Sequence, residues 1–439
     1  MKVQKDYEKE LSEKIAKKGA KIGVIGLGYV GLPLAVEFAK SGFACMGFDI
    51  DREKVSKLND GISYIPDIET ADVQKLSKKN LLSATNDFSN LKDQDVIFIC
   101  VPTPFTKAKA PDISYIISAS ESIKANIRKG QLIILQSTTY PGTTEEVVLP
   151  MLKETGLKEE EEFFLAFSPE RIDPGNKTYT IKNTPKVVGG LSPKSTRLSA
   201  SLFSHITPNI LQVSSPKAAE LCKLLENTFR SVNIALVNEL ALLCNRMGIN
   251  VWEVIEAAST KPFGFMPFWP GPGVGGHCIP VDPYYLSWKA REYDFSTKFI
   301  ELAAETNLLM PRYVVSIVAD ALNKQKKTIN GSKILLLGVA FKKDIDDPRN
   351  SPSEAIMEML IDHGADFSYN DPYIPSVVVK GRVFSSTPLT KESLSSSDCV
   401  VIAVDHSAYD IKEIVEHSQL IVDTRGVTRK IISEKVVLL

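Results

Sequence analysis

The chain has 439 residues, of which 44% are hydrophobic and 24% are charged, and its formal net charge is −1. This length exceeds one ordinary core and predicts two or three domains, and the composition is that of a soluble globular protein. The chain lacks the basic excess of a nucleic-acid binder, and no apolar run reaches the roughly 18 residues of a membrane span.

The N-terminus and the cysteines indicate a cellular compartment. The first residues are charged and lack the apolar stretch of a signal peptide. The six cysteines form no C-x-x-C pair, which argues against a zinc site and against a disulfide framework. We therefore expect a cytoplasmic protein with no bound metal, no nucleic-acid partner and no membrane association.

The first predicted elements form a dinucleotide-binding unit. Residues 1–18 alternate Lys and Glu around Leu11 and Ile15, which predicts a short surface helix. A buried strand at 21–25 enters the sequence Gly-Leu-Gly-Tyr-Val-Gly at 26–31, and a helix to residue 40 and a strand at 43–48 follow. A G-x-G-x-x-G between strand and helix, with an acid about 20 residues later, is the fingerprint of a dinucleotide site. The acid is Asp49, which favours NAD because it would repel the 2′-phosphate of NADP.

Further βα units extend this first domain to residues 19–213. Strands are predicted at 95–101, 132–135, 163–167 and 186–190. Loops at the carboxyl ends of such strands bind ligands. Thr103 and Thr138 are therefore candidates to contact the cofactor, although both also suit plain turns. Glu170 and Arg171 occupy a similar ligand position.

Residues 214–248 are predicted to form one long helix, with Ser-Ser-Pro at its start and Gly248 at its end. Lys223 and Asn227 are four residues apart, so they share one face of this apolar helix. Polar groups in such a setting need partners, which can be each other, a second subunit or a ligand. The apolar surplus predicts a central helical domain at 214–328 that also forms a homodimer or higher homo-oligomer.

A loop rich in glycine and proline follows this helix. Its second half reads Gly-Pro-Gly-Val-Gly-Gly-His-Cys at 271–278, which suits neither a helix nor a central strand. We expect a shaped ligand loop with the Cys278 thiol at its end. An aromatic wall precedes it: Phe263, Phe265, Phe268 and Trp269. Helix is predicted again over 284–327, with an interruption at Pro311.

A second α/β domain is predicted for residues 329–439. It has strands at 333–338, 366–370 and 398–404, a last strand at 420–423, and a helix at 353–363. The loop after its first strand carries Lys342, Lys343 and Arg349 instead of glycines. Cations at the carboxyl end of a strand suit phosphates, although a solvated charge run has the same appearance.

A dinucleotide site together with a loop thiol suggests oxidation through a covalent intermediate. A thiolate adds to an aldehyde, the thiohemiacetal gives a hydride to the nicotinamide, and water hydrolyses the resulting thioester. Cys278 is the best-placed thiol, because the other five lie in predicted strands or in the long helix. A structural role for Cys278 is the alternative.

Six motifs in the same order identify a resemblance that runs from about residue 21 to the C-terminus. They are Gly-Leu-Gly-Tyr-Val-Gly-Leu-Pro at 26–33, Ser-Thr-Thr-Tyr-Pro-Gly-Thr-Thr at 137–144, Ser-Pro-Glu-Arg at 168–171, Lys223 with Asn227, Gly-Pro-Gly-Val-Gly-Gly-His-Cys at 271–278, and Ala-Phe-Lys at 340–342. The chain resembles the UDP-sugar 6-dehydrogenases, which act on UDP-glucose, UDP-N-acetylglucosamine or UDP-N-acetylmannosamine.

The resemblance implies an α/β fold with two Rossmann-like doubly wound domains joined by a central helical dimerisation region. It implies a four-electron oxidation, in which the C6 hydroxyl of a UDP-hexose becomes a carboxylate while two NAD are reduced. The implied catalytic residues are Cys278 as nucleophile, Lys223 and Asn227 around C6, Asp282 for the water, and Glu170. The implied cofactor-binding residues are Gly26, Gly28, Tyr29, Val30, Gly31, Asp49, Lys54, Thr103, Thr138 and Arg349. The implied substrate-binding residues are Arg171, Lys223, Asn227, Lys261, Phe268, Gly271, Gly275 and Lys342.

Two segments depart from the UDP-glucose pattern. Val281 precedes Asp282 where UDP-glucose enzymes commonly have Lys, and Arg171 follows Ser-Pro-Glu where they usually have Phe. Together with His277, these residues resemble the 2-acetamido-sugar branch. We expect UDP-N-acetylglucosamine as substrate, in the synthesis of polysaccharide precursors, with UDP-glucose, UDP-GalNAc and UDP-ManNAc as alternatives.

Two other classes of protein share parts of this layout. A non-catalytic NAD-binding scaffold would bind nucleotide without turnover. A dehydrogenase of the 3-hydroxyacid or 6-phosphogluconate type has the same domain order but needs no thiol.

Overall fold

The computed structural model describes residues 5–65, 67–106, 110–172, 176, 178–276 and 278–439. The chain forms two compact units. The N-terminal unit runs to Glu226 and includes Trp288–Asp294, and the C-terminal unit contains Asn227–Ser287 and Phe295–Leu439.

The described part of the N-terminal unit is built on an eight-stranded sheet with the order β3-β2-β1-β4-β5-β6-β7-β8. All neighbours are parallel except β6 and β7, which are antiparallel. The strands are β1 Lys21–Ile25, β2 Ala44–Phe48, β3 Leu82–Thr85, β4 Val96–Ile99, β5 Gln131–Leu135, β6 Phe163–Phe167, β7 Lys186–Gly190 and β8 Ile210–Gln212. The helices are α1 Tyr7–Ala16, α2 Gly31–Lys40, α3 Arg52–Asn59, α4 Thr70–Lys78, α5 Ser114–Lys124, α6 Leu149–Lys153 and α7 Pro193–Phe203, and a π-helical segment, Thr144–Val148, precedes α6.

Both faces of this sheet are buried, as the continuous apolar runs predict. Along β4, Phe98 packs into one core while Ile97 and Ile99 pack into the other. Helix α1 also joins the first core, because Leu11 and Ile15 are buried in it. The prediction of a mere surface helix at 1–18 was therefore incomplete.

The C-terminal unit contains a five-stranded parallel sheet, ordered β10-β9-β13-β14-β15, and a separate hairpin of β11 and β12. Its strands are β9 Lys333–Leu337, β10 Asp366–Asn370, β11 Ser376–Val379, β12 Arg382–Ser385, β13 Cys399–Ile402, β14 Ile421–Asp423 and β15 Val436–Leu438. The helices from the centre of the chain onward are α8 Pro216–Met247, α9 Val251–Ala258, α10 Asp282–Ala290, α11 Lys298–Lys324, α12 Pro352–Asp362, α13 Lys391–Ser396 and α14 Ile411–His417. The predicted fold class, two parallel α/β sheets with a central helical region, is confirmed.

The two sheets contain the same turn after their first strands. Gly26 follows β1 with φ +91°, and Gly338 follows β9 with φ +87°. In each case the next residue donates its backbone N–H to an acid directly after the second strand. The N–H of Leu27 lies 2.8 Å from Asp49, and that of Val339 lies 2.8 Å from Asp371. A glycine and an acid therefore close this turn in both sheets.

Two sequence predictions for the C-terminal unit were wrong. Helix α11 is continuous through Pro311, because the proline ring only leaves the Asn307 carbonyl without its helical donor. The strand at 420–423 is not the last one, since β15 follows it along the sheet edge. The hairpin of β11 and β12 and the short strands β3 and β8 were also missed.

A relay of buried amides joins α8, α11 and the glycine-rich loop within the C-terminal unit. The N–H of Gly271 donates to Asn238 Oδ1 at 2.9 Å, and Asn238 Nδ2 donates to Asn307 Oδ1 at 3.0 Å. Asn307 Nδ2 then donates to the carbonyl of Ser231 at 3.1 Å. The need of Asn238 for a polar partner inside the apolar helix is thus met by protein groups.

No helix in the part of the chain that the structure describes has the length and apolar character to cross a membrane. Over the same described ranges, no cluster of three or more His, Cys, Asp and Glu could hold a metal ion.

We expect Asn238→Ala to destabilise the protein, because it leaves the Gly271 N–H and the Asn307 Oδ1 buried without partners. The expected loss in free energy of unfolding is about 1–3 kcal/mol. Denaturant unfolding followed by circular dichroism measures it. Asn233→Ala is the matched control on the same helix, since Asn233 only donates to the Phe229 carbonyl one turn back near the surface. Equal midpoints for the two variants would contradict the relay.

Candidate functional site

The turn after β1 has the shape of a pyrophosphate cradle. A Cβ atom added to Gly26 would lie 2.5 Å from the carbonyl oxygen of Cys100, and one added to Gly31 would lie 1.9 Å from that of Gly26. Gly28 differs, because a Cβ there would meet no atom within 4 Å. Two glycines are thus required by close packing and the third faces open space, which leaves room for a phosphate beside the N-terminus of α2. These residues fit a dinucleotide.

Asp49 lies at the end of β2, where the fingerprint requires an acid. It is largely buried, accepts hydrogen bonds from the N–H groups of Leu27 and Asp51, and has Lys54 Nζ 3.8 Å away. The Asp49 carboxylate is therefore held in place by the glycine-rich turn after β1. The other residues predicted to contact the cofactor here lie around the carboxyl edge of the sheet. Tyr29 is exposed, and Val30, Thr103 and Thr138 are half-buried.

Glu170 is the centre of a buried network at the ends of β5, β6 and β7. Its Oε2 accepts from Gln136 Nε2 at 2.6 Å and from Lys186 Nζ at 2.7 Å. Its Oε1 accepts from the N–H groups of Arg171 and Ile172 at 2.7 and 2.9 Å. Burial alone would raise the pKa of Glu170, but the Lys186 charge and these hydrogen bonds hold it below its usual value. Two donors on each oxygen suit a carboxylate that stays ionised.

Arg171 connects this network to α8. Its Nη1 donates to the carbonyl of Pro185 at 2.9 Å, and its Nη2 lies 2.7 Å from Glu226 Oε1. Glu226 directly precedes Asn227 on α8. The guanidinium is therefore held at two points in the N-terminal unit. The rest of the Ser-Pro-Glu-Arg motif's loop, 173–175, lies outside the described residues.

The polar face predicted on α8 exists. Lys223 is half-buried, and Asn227, one turn later, is buried. Within the C-terminal unit, Asn227 Nδ2 donates to Asp282 Oδ2 at 2.5 Å. Two of the predicted catalytic residues are thus in direct contact, and Asp282 is the first residue of α10.

Cys278 lies half-buried at the turn that leads into α10. Its carbonyl accepts from the N–H groups of Val281 and Asp282 at 3.0 and 2.8 Å. The thiol and the Asp282 carboxylate are therefore carried by one tight turn. His277, a predicted clue to the substrate, lies outside the described residues.

The glycine-rich segment 271–278, which ends at the Cys278 thiol and is called the thiol loop here, has protein atoms close to its glycines. A Cβ on Gly275 would lie 2.8 Å from the Asn350 carbonyl oxygen, and one on Gly276 would lie 2.9 Å from the Phe341 ring. Gly273 has φ +127° and faces the Asn307 carbonyl oxygen that Pro311 leaves without a helical donor. The loop therefore needs glycine in order to pack on α11 and on the segment after β9.

The remaining predicted substrate residues of the C-terminal unit differ in their settings. Gly271 lies against Arg425, whose Nη1 would be 2.8 Å from an added Cβ. Phe268 is half-buried edge-on against Phe229, with ring centroids 5.7 Å apart. Lys261 is exposed, with its ammonium 5.0 Å from the ring of Phe263. This end of the aromatic wall is therefore open to solvent.

Two of the cations that follow β9 in the same unit are predicted ligand contacts. Lys342 is half-buried, whereas Arg349 is exposed and binds Asp347 through two hydrogen bonds from Nε, at 2.8 and 3.0 Å, and a third from Nη2. The phosphate-binding role predicted for Arg349 would have to compete with this local carboxylate.

The sequence reasoning missed several polar residues that hold these elements: Gln136, Lys186, Asn307 and Arg425. The available signal was a polar side chain inside an apolar run, since buried polar groups need partners. Lys186 begins the strand Lys-Val-Val-Gly-Gly, and Gln131 and Gln136 flank Leu-Ile-Ile-Leu. Their partners, however, are distant in sequence.

Comparison with known proteins assigns most of the chain to one family. Residues 20–207 match the NAD binding domain of the UDP-glucose/GDP-mannose dehydrogenase family, residues 217–308 its central domain, and residues 335–430 its UDP binding domain.

Relatives and solved structures extend this similarity. The UDP-N-acetyl-D-glucosamine 6-dehydrogenase of Pseudomonas aeruginosa is 40% identical, covering 89% of this chain and 92% of that protein. The UDP-N-acetyl-D-mannosamine dehydrogenase of Pyrococcus horikoshii is 36% identical, covering 93% and 96%. A solved structure of UDP-D-ManNAc dehydrogenase from Pyrococcus horikoshii matches with a TM-score of 0.85 at 34% identity, over 95% of this chain and 97% of that one. The chain therefore belongs to the UDP-glucose/GDP-mannose dehydrogenase family and is an NAD-dependent UDP-sugar 6-dehydrogenase.

Proposed function

We propose that the protein oxidises the C6 hydroxyl of UDP-N-acetyl-D-glucosamine to the carboxylate, and that the uronate serves polysaccharide synthesis. The similar proteins named above act, by their names, on UDP sugars that carry a 2-acetamido group. The relative named for the gluco sugar shares 40% identity. The observation that carries the choice of an acetamido sugar is Arg171, which stands where UDP-glucose enzymes usually have Phe.

Arg171 is suited to recognise an amide. A guanidinium has five N–H donors, and the Pro185 carbonyl and Glu226 engage only part of them. Those two contacts fix the plane of the group, so that its other donors keep one direction. The acetamido carbonyl oxygen of the substrate would accept from them, and a phenylalanine could not replace that bond.

We propose that Cys278 forms the covalent intermediate. Its Sγ adds to C6 of the aldehyde to give a thiohemiacetal, and removal of hydride leaves a thioester that water cleaves to carboxylate and thiol. NAD accepts one hydride in each of the two oxidations. Asp282 positions the water, and Asn227 orients Asp282 through the 2.5 Å hydrogen bond. Lys223 and Asn227 stabilise the oxygen on C6 as negative charge develops there.

Glu170 has a different role in this proposal. Both of its oxygens already accept two hydrogen bonds, so it fixes the carboxyl edge of the sheet instead of exchanging a proton. Arg171, Lys261, Phe268, Gly271, Gly275 and Lys342 contact the UDP-sugar. Gly26, Gly28, Tyr29, Val30, Gly31, Asp49, Lys54, Thr103, Thr138 and Arg349 contact NAD.

We also propose that α8 forms a homodimer with a second copy of the chain. Its buried face includes Val237, Ala241 and Cys244, whereas Leu236, Leu240, Leu243 and Met247 form an exposed apolar stripe. A stripe of large apolar side chains at helical spacing is unusual on a free surface. A twofold axis would pair this stripe with its own copy and bury it on both chains.

The substrate assignment is tested by steady-state NADH formation with UDP-GlcNAc, UDP-ManNAc, UDP-GalNAc and UDP-glucose. We expect the highest kcat/KM with UDP-GlcNAc. In Arg171→Phe the preference for UDP-GlcNAc over UDP-glucose should fall by about 10-fold or more, because one hydrogen bond to the acetamido group is lost. Arg197→Phe removes another Arg–Glu pair, with Glu8, and should leave the ratio unchanged. A wild-type preference for another sugar, or an unchanged ratio in Arg171→Phe, would refute the assignment.

The thiol mechanism predicts a stoichiometric difference. Wild-type protein should form two NADH per sugar, since two hydrides leave C6. Cys278→Ser should lose turnover by several orders of magnitude, because a hydroxyl is a far weaker nucleophile. Cys222→Ser, at a half-buried thiol on α8, is the control and should retain activity. Wild-type turnover in Cys278→Ser would exclude the covalent route.

The dimer is tested by light scattering after gel filtration. Wild-type protein should have twice the 48.4 kDa mass of one chain. Leu240→Glu combined with Leu243→Glu should give 48.4 kDa, because the paired stripes would bury unpaired charges. Val378→Glu, at an exposed apolar residue of β11, should leave the mass unchanged. A wild-type monomer would rule out this interface.

A further inference from the structure

Glu220 is a buried acid that none of the roles above uses. It lies in the second turn of α8 and is fully buried. Its carboxylate accepts three hydrogen bonds from a single turn of the N-terminal unit. Oε2 accepts from the N–H of Gly142 at 2.5 Å, and Oε1 accepts from the N–H and the hydroxyl of Thr144 at 2.9 and 2.6 Å.

The turn that Glu220 holds directly follows the cofactor edge of the sheet. It begins after β5 at Thr138, the proposed NAD contact, and ends where the helical segment Thr144–Val148 starts. Inside it, the hydroxyls of Thr139 and Thr143 are 2.6 Å apart, and Thr143 Oγ1 also donates to the Tyr140 carbonyl. These hydrogen bonds stabilise the turn internally. Its position in the unit then depends on the contacts made by its second end, at residues 142–146.

Glu220 and Lys217, at the start of α8, bind this end, and Lys289 of α10 donates to Glu146 Oε2 at 2.6 Å. Glu220 binds it from the inside, while Lys217 pairs with Glu145 and Glu146 at 3.2 and 3.1 Å on the partly exposed side. Surface ion pairs contribute little to stability, whereas buried hydrogen bonds to a charged group contribute considerably more. Glu220 is therefore the main fastening between the turn and the helix.

We infer that Glu220 is a positioning residue for NAD binding: it fastens the turn that begins at Thr138 to the helix that carries Lys223. Glu220 and Lys223 are three residues apart on α8, so one rigid helix aligns the cofactor edge with the proposed catalytic lysine. This inference rests on the proposed function for the role of Lys223, while its link to NAD rests on the fold of the first sheet.

The chemistry requires a carboxylate at this position. Two backbone N–H groups, of Gly142 and Thr144, point at different oxygens of the side chain. A glutamine has the same shape but only one oxygen, so either orientation of its amide sets an NH₂ group against a backbone N–H. An aspartate retains both oxygens but is one methylene shorter. Glu220→Gln therefore changes the acceptors while it conserves the volume.

The test compares Glu220→Gln with Glu145→Gln, which makes the same change at a less buried acid just after the same turn. Titration of each full-length protein with NAD, followed by fluorescence, gives the NAD Kd, and thermal unfolding reports the folded state. We expect the NAD Kd to rise about 10-fold or more in Glu220→Gln, as loss of one buried hydrogen bond predicts. The KM for UDP-GlcNAc should stay within about twofold, and Glu145→Gln should match the wild type.

A folded Glu220→Gln protein with wild-type NAD Kd would overturn the inference. So would an equal rise in the NAD Kd for Glu145→Gln. If Glu220→Gln does not fold, Thr144→Val takes its place, because it removes one of the three donors and keeps both backbone N–H groups bonded. It should raise the NAD Kd by a smaller factor, and an unchanged Kd would again reject the role.

The NAD titration tests this inference separately from the proposed function, which is tested by turnover of the UDP-sugars. A wild-type protein that turns over none of the four UDP-sugars would refute the proposed substrate while the NAD Kd of each variant still tests Glu220.

Discussion

The hydrogen bond from the Gly271 N–H to Asn238 fixes the position of the first residue of the thiol loop. Asn238 lies inside α8 with no exposed surface, and its own amide is held by Asn307. A buried donor that loses its partner costs about 1–3 kcal/mol, so the start of the loop is tied to two helices. The other end is tied as well, because the Cys278 carbonyl accepts from the N–H groups of Val281 and Asp282, where α10 begins. The thiol is therefore carried between two fixed points.

In the N-terminal unit, a buried polar side chain with protein hydrogen-bond partners also fixes the loops, here at the carboxyl ends of the strands. Glu170 binds Gln136 and Lys186, which come from different strands, and so replaces water by a complete set of donors. A buried ion pair of this kind is a poor source of net stability, because desolvation offsets most of the attraction. Its value lies in geometry, since the residue after β5, the loop after β6 and the first residue of β7 meet at one carboxylate. A rigid edge of this kind suits an enzyme that must hold its ligands in a fixed geometry.

The sequence predicted what local pattern determines. The order of strand, glycines and helix at 21–40 predicted the start of the first sheet, and the apolar content of 214–248 predicted α8. Both predictions depend only on residues that are neighbours in sequence. Pro311 misled the prediction, since a helix tolerates a proline where the freed carbonyl faces another part of the chain. The strands β11 and β12 were missed because they form a small hairpin with exposed valines instead of a buried apolar run.

The contacts within the candidate site were beyond local pattern. Asn238 and Asn307 are 69 residues apart, and Glu220 and Gly142 are 78 apart. The sequence showed that polar residues in apolar helices need partners, but not which ones. The contact between Asn227 and Asp282 likewise depends on how the loop returns to α8, which spacing alone does not determine.

The matching turns after β1 and β9 have a consequence for ligand affinity. Each is closed by a glycine of positive φ and by an acid that accepts a backbone N–H, 22 residues later in the first sheet and 32 in the second. All of these groups belong to the protein, so the turn holds its shape without a nucleotide. Binding then requires little ordering of the backbone, and more of the contact energy appears as affinity. Both sheets thus present a preorganised turn.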